Sequence, residues 1–293
     1  MCLVALALDQ DRRFPLVIAS NRDEFFGRPT QPLSWWWPRA GVASMLSGRD
    51  LKSGGTWFGL GAAGRVALVT NVRNPGSNDP DAPSRGAIPP LWVTSTMGAD
   101  RFWMQAALSG YNGFNVIAGD VARNEWFWAS NMQTLPKRLE RGVYGLSNAA
   151  LDTPWPKVAL LKARVSAAIT TSSRGGEGAE LLARRLLDAL GDRSIAPDEQ
   201  LPATGIPLEL ERALSASFIR TADGRYGTRC STLLITERVR QQEVTHFFEC
   251  SYDHEHDDAP TLRHVRLESW PARTGSELTP SPVRTLSLDE LEA

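Results

Sequence analysis

The chain has 293 residues, 32 basic against 33 acidic side chains, a formal net charge of −1, and a composition 42% apolar and 22% charged. That balance is typical of a water-soluble globular protein, and nothing in it suggests nucleic acid or a membrane surface as the main partner. Three cysteines, Cys2, Cys230 and Cys250, form no disulfide framework and lack metal-site spacing, so at least one thiol stays unpaired within the chain.

The first apolar run, Met1 to Leu8, has no basic residues ahead of it and no small-residue cleavage site behind it. It reads as neither signal peptide nor transmembrane helix, and the protein is expected in the cytoplasm with no membrane insertion. Length allows one or two domains. Residues 1–268 read as a single domain, and the Pro-rich, polar stretch 269–293 as a loosely held extension.

Cys2 to Leu8 and Leu16 to Ser20 are apolar, strand-length runs joined by the polar Asp9-Gln10-Asp11-Arg12-Arg13, the pattern of a hairpin. Antiparallel pairing then brings Asn21-Arg22-Asp23-Glu24 back beside Cys2. Once Met1 is trimmed, Cys2 carries both a thiol and a free α-amine, a self-contained nucleophile and base. Arg28 to Pro32 and the Trp35-Trp36-Trp37-Pro38 cluster read as an irregular excursion. Neighbouring side chains of an extended chain point to opposite faces, so the three tryptophans cannot all enter one core.

The glycine-dense stretch Leu46 to Leu60 suggests tight turns or close approach of backbone to a ligand around Arg49, Asp50, Gly54 and Gly55. It matches neither the dinucleotide fingerprint nor the phosphate-loop pattern. Arg65 to Val72 is a strand with Asn71 at its end, and Asn74 to Arg85 has loop composition. Leu91 to Ala107 is weakly helical, whereas Gly113 to Gly119, Glu125 to Ala129 and Gly142 to Asn148 read as strands. A proline-opened helix follows Asp152, and Glu180 to Leu190 is clearly amphipathic. A shorter helix is expected within Gly205 to Ser217. The strands return at Gly227 to Thr236, Val244 to Cys250 and Leu262 to Leu267. Strands, then helices, then strands argue for antiparallel sheets covered by helices rather than alternating parallel units.

Several blocks together resemble the NRDE, or transport and Golgi organisation, family. They are Met1-Cys2, Asn21-Arg22-Asp23-Glu24, Ser47-Gly48-Arg49-Asp50, Gly54-Gly55-Thr56-Trp57, Thr70-Asn71-Val72-Arg73, Tyr144-Gly145-Leu146-Ser147-Asn148 and Tyr226-Gly227-Thr228-Arg229-Cys230-Ser231. That family is similar to the N-terminal nucleophile (Ntn) hydrolases of the bile-salt hydrolase and penicillin V acylase type. The resemblance implies an α+β fold, a four-layer αββα sandwich of two stacked, mainly antiparallel sheets flanked by helices. It also implies a catalytic set of Cys2 as nucleophile, Asp23 holding its amine, Asn71 and Asn148 at the oxyanion and substrate, and Arg229 beside the thiol. Asn21, Arg22, Arg49 and Trp57 are taken as substrate-binding residues. Such acylase relatives carry an arginine three residues before the aspartate, a position held here by Ser20. Arg22 cannot replace it, because Arg22 and Asp23 point to opposite strand faces.

Two functions from different classes follow. One is hydrolysis of a non-peptide C–N bond in a small acylated substrate. The other is binding and trafficking of a hydrophobic metabolite, haem or acyl-CoA, in the same cleft. No cofactor is implied. Asp253-His254-Glu255-His256-Asp257-Asp258 resembles a metal ligand set but is crowded into one turn, and no metal is expected there.

Overall fold

A computed structural model describes residues 2–133, 135–240, 242–254, 259–268, 270–271 and 281–291. In chain order it runs β1 (Cys2–Leu8), β2 (Leu16–Phe25), β3 (Thr30–Trp36), β4 (Met45–Asp50), β5 (Phe58–Gly61) and β6 (Arg65–Asn71), then α1 (Ile88–Val93) and α2 (Ala99–Ala107). Next come β7 (Phe114–Asp120), β8 (Glu125–Ser130), β9 (Lys137–Leu139) and β10 (Gly142–Leu146), followed by α3 (Pro156–Gly175), α4 (Ala179–Leu190) and α5 (Leu208–Ala213). Strands β11 (Tyr226–Val239), β12 (Gln242–Ser251), β13 (Thr261–Leu267) and β14 (Arg284–Leu286) complete it. No helix of the described residues is long and apolar enough to cross a membrane. The chain divides into two compact units.

The first unit comprises Met1–Gly27, Arg141–Glu268 and Ser281–Ala293. Its sheet is antiparallel, in the order β10-β1-β2-β11-β12-β13-β14. The β1–β2 connection closes because Asp9 adopts a left-handed φ of 50°, which a short polar side chain tolerates. Asp11 Oδ1 then accepts the Arg13 and Phe14 backbone N–H groups at 2.7 and 3.2 Å, so the turn's donors are met locally. Helix α3 starts with Pro156, whose missing N–H costs nothing at that position, and stops at Gly176, with φ 70°. Helix α4 has no capping side chain of its own. Glu237 of β11 supplies the acceptor, taking the Ala179 N–H at 3.0 Å while ion-paired to Arg13 at 2.7 Å.

Alternation along the strands sorts the side chains. Leu3, Ala5, Ala7, Val17, Ala19, Leu233, Ile235, Phe248 and Leu262 pack against Val158, Leu161 and Val165 of α3 and Leu182, Leu186 and Leu190 of α4. Cys2, Val4, Leu6, Ser20 and Arg22 therefore occupy the sheet's other face, and β1 is buried along its whole length. The chain end joins this core: β14 pairs with β13, and Leu291 is 1% exposed among the helix–sheet residues. The loosely held extension expected for 269–293 is thus a packed strand and turn over residues 284–291, because its leucines recover apolar burial that the local composition does not advertise.

The second unit, Arg28–Glu140 with Ser269–Pro280, is a seven-stranded antiparallel meander, β3 through β9 in sequence order. Ala67, Val69, Phe114, Val116 and Phe127 of the sheet pack with Trp92 of α1 and Phe102 of α2. The expected irregular excursion is the edge strand β3. Pro32 is accommodated there by a register shift between Gln31 and Ser34, as an edge position permits. Trp36 is buried and donates to Ser47 Oγ at 2.8 Å, while Trp37 is 61% exposed. Each unit therefore combines an antiparallel sheet with helices on it, the α+β layers that the resemblance implies.

Replacing Leu186, fully buried in the first unit's core, by alanine is expected to cost about 2–5 kcal/mol in urea unfolding. The same change at Leu160, 37% exposed on α3, should stay within about 0.5 kcal/mol.

Candidate functional site around Cys2

The antiparallel ladders place Cys2 opposite Arg22, and Arg22 opposite Cys230 on the next strand. Directly paired residues share a face, so Arg22 lies between the two cysteines, 5% exposed. On the other side of β1, Val4 pairs with Leu146 and Ala5 with Gly145. The ladder stops there, and Ser147 and Asn148 follow directly beyond it. Ser147 ties this end down: its Oγ donates to the Cys2 carbonyl at 3.0 Å and lies 3.2 Å from Asn148 Oδ1. A row of Cys2, Arg22 and Cys230 results on three adjacent strands of one unit, with the buried Asn148 linked to it through Ser147.

Asp23 faces the opposite way but remains beside the thiol through its backbone. Its N–H is directed at the Cys2 sulfur, and its carboxylate Oδ1 accepts from Thr228 Oγ1 at 2.7 Å. Burial pushes the Asp23 carboxyl above its ordinary value, against the pull of Lys157, the Thr228 hydroxyl and Arg22. Burial likewise raises the Cys2 thiol, with the Asp23 charge adding and the Arg22 charge opposing. Cys230 is pushed well above its usual value by burial and by Glu249. Cys2 is thus a protonated thiol that needs a neighbouring base to react.

Asn21, expected at the substrate, is fully buried and fully committed. Its Nδ2 donates to the carbonyls of Leu190 at 2.9 Å and Ser217 at 2.8 Å, and its Oδ1 accepts from Ser231 Oγ at 2.6 Å. The Leu190 carbonyl is one of the orphan acceptors at the end of α4; Asn21 is a helix anchor, because alternation turns it towards the helices and away from the face of Cys2 and Arg22. Arg229 sits on a bulge between Thr228 and Cys230, and its guanidinium donates to the carbonyls of Phe25, at 3.0 Å, and Phe26.

Asn71, Arg49 and Trp57 belong to the second unit. Asn71 ends β6 opposite Phe114. Arg49 lays its guanidinium over Trp36, 4.6 Å from the ring centroid. Trp57 is buried just ahead of β5. The close approach expected at Gly54-Gly55 is made to the chain itself: a Cβ on Gly55 would lie 2.2 Å from the Gly86 carbonyl oxygen, which accepts the Thr56 N–H. Neighbouring Asp50 accepts two hydrogen bonds from Arg28, at 3.0 and 2.6 Å, and these hold it below the usual carboxylate range although burial works the other way.

Four residues of the site escape a reading of the sequence by residue type: Ser147, Thr228, Ser231 and Tyr226. Tyr226 donates to the Asp23 carbonyl at 3.1 Å, and burial raises its phenol well above the ordinary value, with Asp23, Glu24 and Cys2 adding. The only hint of them is their place inside the Tyr144 to Asn148 and Tyr226 to Ser231 blocks. Of the acidic run near the chain end, residues 255–258 lie outside the described residues. His254 stacks on Phe26 at 4.2 Å and contacts the Thr228 carbonyl at 2.7 Å.

Residues 1–254 match the family described as Transport and Golgi organisation 2. The homologue of that protein in Mus musculus is 30% identical over 254 residues, covering 81% of this chain and 89% of its own. The Bos taurus homologue is 32% identical over 253 residues with the same coverage. The chain belongs to the Transport and Golgi organisation 2 family. Among solved structures it is similar to a variant of a conjugated bile acid hydrolase from Clostridium perfringens, at 8% identity and a TM-score of 0.48, covering 98% of this chain and 97% of the other.

Replacing Asn21 by alanine strands two buried carbonyls and should destabilise the protein by about 1–3 kcal/mol for each, read from urea unfolding. Because burial raises the Cys2 thiol, its alkylation by iodoacetamide should still be accelerating at pH values above the ordinary thiol pKa of about 8.5, whereas guanidinium-unfolded protein should level off near it.

Proposed function

We propose that this chain is an N-terminal cysteine amidohydrolase, cleaving a non-peptide C–N bond of a small acylated substrate. The observation that carries the reading is the row of Cys2, Arg22 and Cys230, with Asp23 beside Cys2 and Ser147 joining the Cys2 carbonyl to the Asn148 side chain. Loss of Met1 frees the Cys2 α-amine, whose reference pKa of about 7.7–8.0 suits a base near neutrality. The amine takes the thiol proton as sulfur attacks the substrate carbonyl, then delivers that proton to the departing amine. Water, deprotonated by the same amine, hydrolyses the resulting thioester. Asn148 offers an amide donor to the oxyanion, and Asp23 holds the protonated amine. The ammonium in turn supplies a counter-charge to a carboxylate that burial disfavours. Arg229, on the β11 bulge of the same unit, is assigned as a positioning group.

A second reading has its own support. Ser20 stands in place of the acylase-type arginine, and the Cys2 thiol is both buried and raised. The curated relatives are also named for transport and Golgi organisation rather than for a reaction. The same residues would then bind a hydrophobic metabolite, haem or acyl-CoA.

Intact mass spectrometry of the purified protein should show Met1 removed. Retention of Met1 would falsify the amidohydrolase mechanism. Screened against a panel of acyl amides, the wild type should turn over at least one, and Cys2→Ser should lose about 10³-fold or more in kcat. Tight haem or acyl-CoA binding that survives Cys2→Ser, with no amide cleaved by the wild type, would establish the second reading instead.

A further inference from the structure

On the helix-facing side of the first unit's sheet, well away from Cys2, three metal-ligating side chains converge. His246 of β12 and His264 of β13 meet edge to edge, Nδ1 to Nε2 at 3.1 Å. Glu180, in the first turn of α4, brings Oε1 to 3.7 Å from His246 Nδ1. Among the described residues these three offer one ligand atom each, all within 4.8 Å of one another. Both imidazoles are buried, while the Glu180 side chain is 45% exposed. The set thus has Phe248 against both rings, Arg266 and Arg284 as cross-strand neighbours of the histidines, and an open side at Glu180 through which an ion can enter.

The spacing suits a first-row transition ion. With bonds of about 2.0–2.2 Å and tetrahedral angles, ligand atoms lie roughly 3.3 Å apart, and the two observed separations bracket that value. The rings are held nearly parallel, at 7° to each other, and the His264 ring stacks on Phe248 at a centroid distance of 4.1 Å. Packing thus fixes the orientation of both rings, while the carboxylate of Glu180 is half-exposed and has room to adjust. The one N–H shared between the rings is no obstacle. The donating imidazole shifts its proton to its other ring nitrogen, and both facing nitrogens become ligands without net proton release.

The geometry points to a structural divalent-metal site of the zinc class, formed by Glu180, His246 and His264, that ties the start of α4 to β12 and β13. Two imidazoles and one carboxylate favour zinc, cobalt, nickel or copper over magnesium or calcium. The site is independent of the Cys2 chemistry. His246 pairs with Ile235, five residues along β11 from Cys230, about 16 Å at strand rise, and it lies on the opposite face of the sheet.

Full-length protein stripped with chelator and titrated with Co2+ tests this. One equivalent should bind with visible d–d bands and no thiolate-to-cobalt charge-transfer band, and Zn2+ should bleach that spectrum. Glu180→Gln, at a half-exposed position where folding is not at stake, should weaken Zn2+ binding ~10-fold or more. His264→Gln, checked for folding by circular dichroism, should abolish the cobalt spectrum. Zn2+ should also raise the melting temperature of the wild type more than that of Glu180→Gln. The site does not exist if the wild type takes up no stoichiometric cobalt, if Glu180→Gln binds as tightly as the wild type, or if a thiolate band places the ion on a cysteine.

Discussion

Four consecutive polar residues, Ser20-Asn21-Arg22-Asp23, are buried at the end of a central strand, and much of the first unit is arranged around satisfying them. An unmet buried donor or acceptor costs about 1–3 kcal/mol, and more for a charge. Strand alternation splits the burden. Asn21 and Asp23 turn to the helices, where a helix-end carbonyl, the Ser217 carbonyl, Ser231 and Thr228 receive them. Arg22 turns the other way, into the row with Cys2 and Cys230. The helix α4 is thus held to the sheet at both ends by strand side chains: Glu237 at its start and Asn21 at its finish. Apolar packing alone would fix neither its register nor its rotation as sharply.

The parts of this design governed by period were legible in the sequence. Alternation and turn residues located β1, β2, β6 to β8 and β11 to β13, and helical spacing located α3 and α4. The hairpin argument placed Arg22 and Asp23 beside Cys2 before any coordinates. What period could not deliver was the edge strand β3, where proline and tryptophan mimic a loop, the strands β4 and β5 inside a glycine-dense stretch read as turns, the three-residue β9, and β14, whose few apolar residues matter only once a sheet edge exists to receive them. Gly54-Gly55 misled for a related reason. Glycine reports that something comes close, and not whether the visitor is a ligand or the chain's own Gly86 carbonyl.

The candidate site was half legible. Residue type and position drew attention to Cys2, and the family resemblance added Asp23 and Asn148. It equally favoured Asn21, which the fold uses as an internal clamp. Serines and threonines drew no attention, although Ser147, Thr228 and Ser231 make the hydrogen bonds that hold the conspicuous residues in place. His246 and His264 were silent for another reason: they lie eighteen residues apart with no motif spacing, and only the β12–β13 hairpin turns that distance into contact.

The bulge at Arg229 reaches further than its local geometry suggests. Residues two apart on a strand ordinarily share a face, yet Thr228 serves Asp23 on one side of the sheet while Cys230 lies with Arg22 on the other. The extra residue inverts the parity of everything before it in β11. Removing one residue there, whatever its identity, would move the Thr228 hydroxyl off the Asp23 carboxylate and through to the far side. Along this segment evolution can exchange side chains more freely than it can change their number: what is constrained is a count, and insertions and deletions should be far rarer than substitutions.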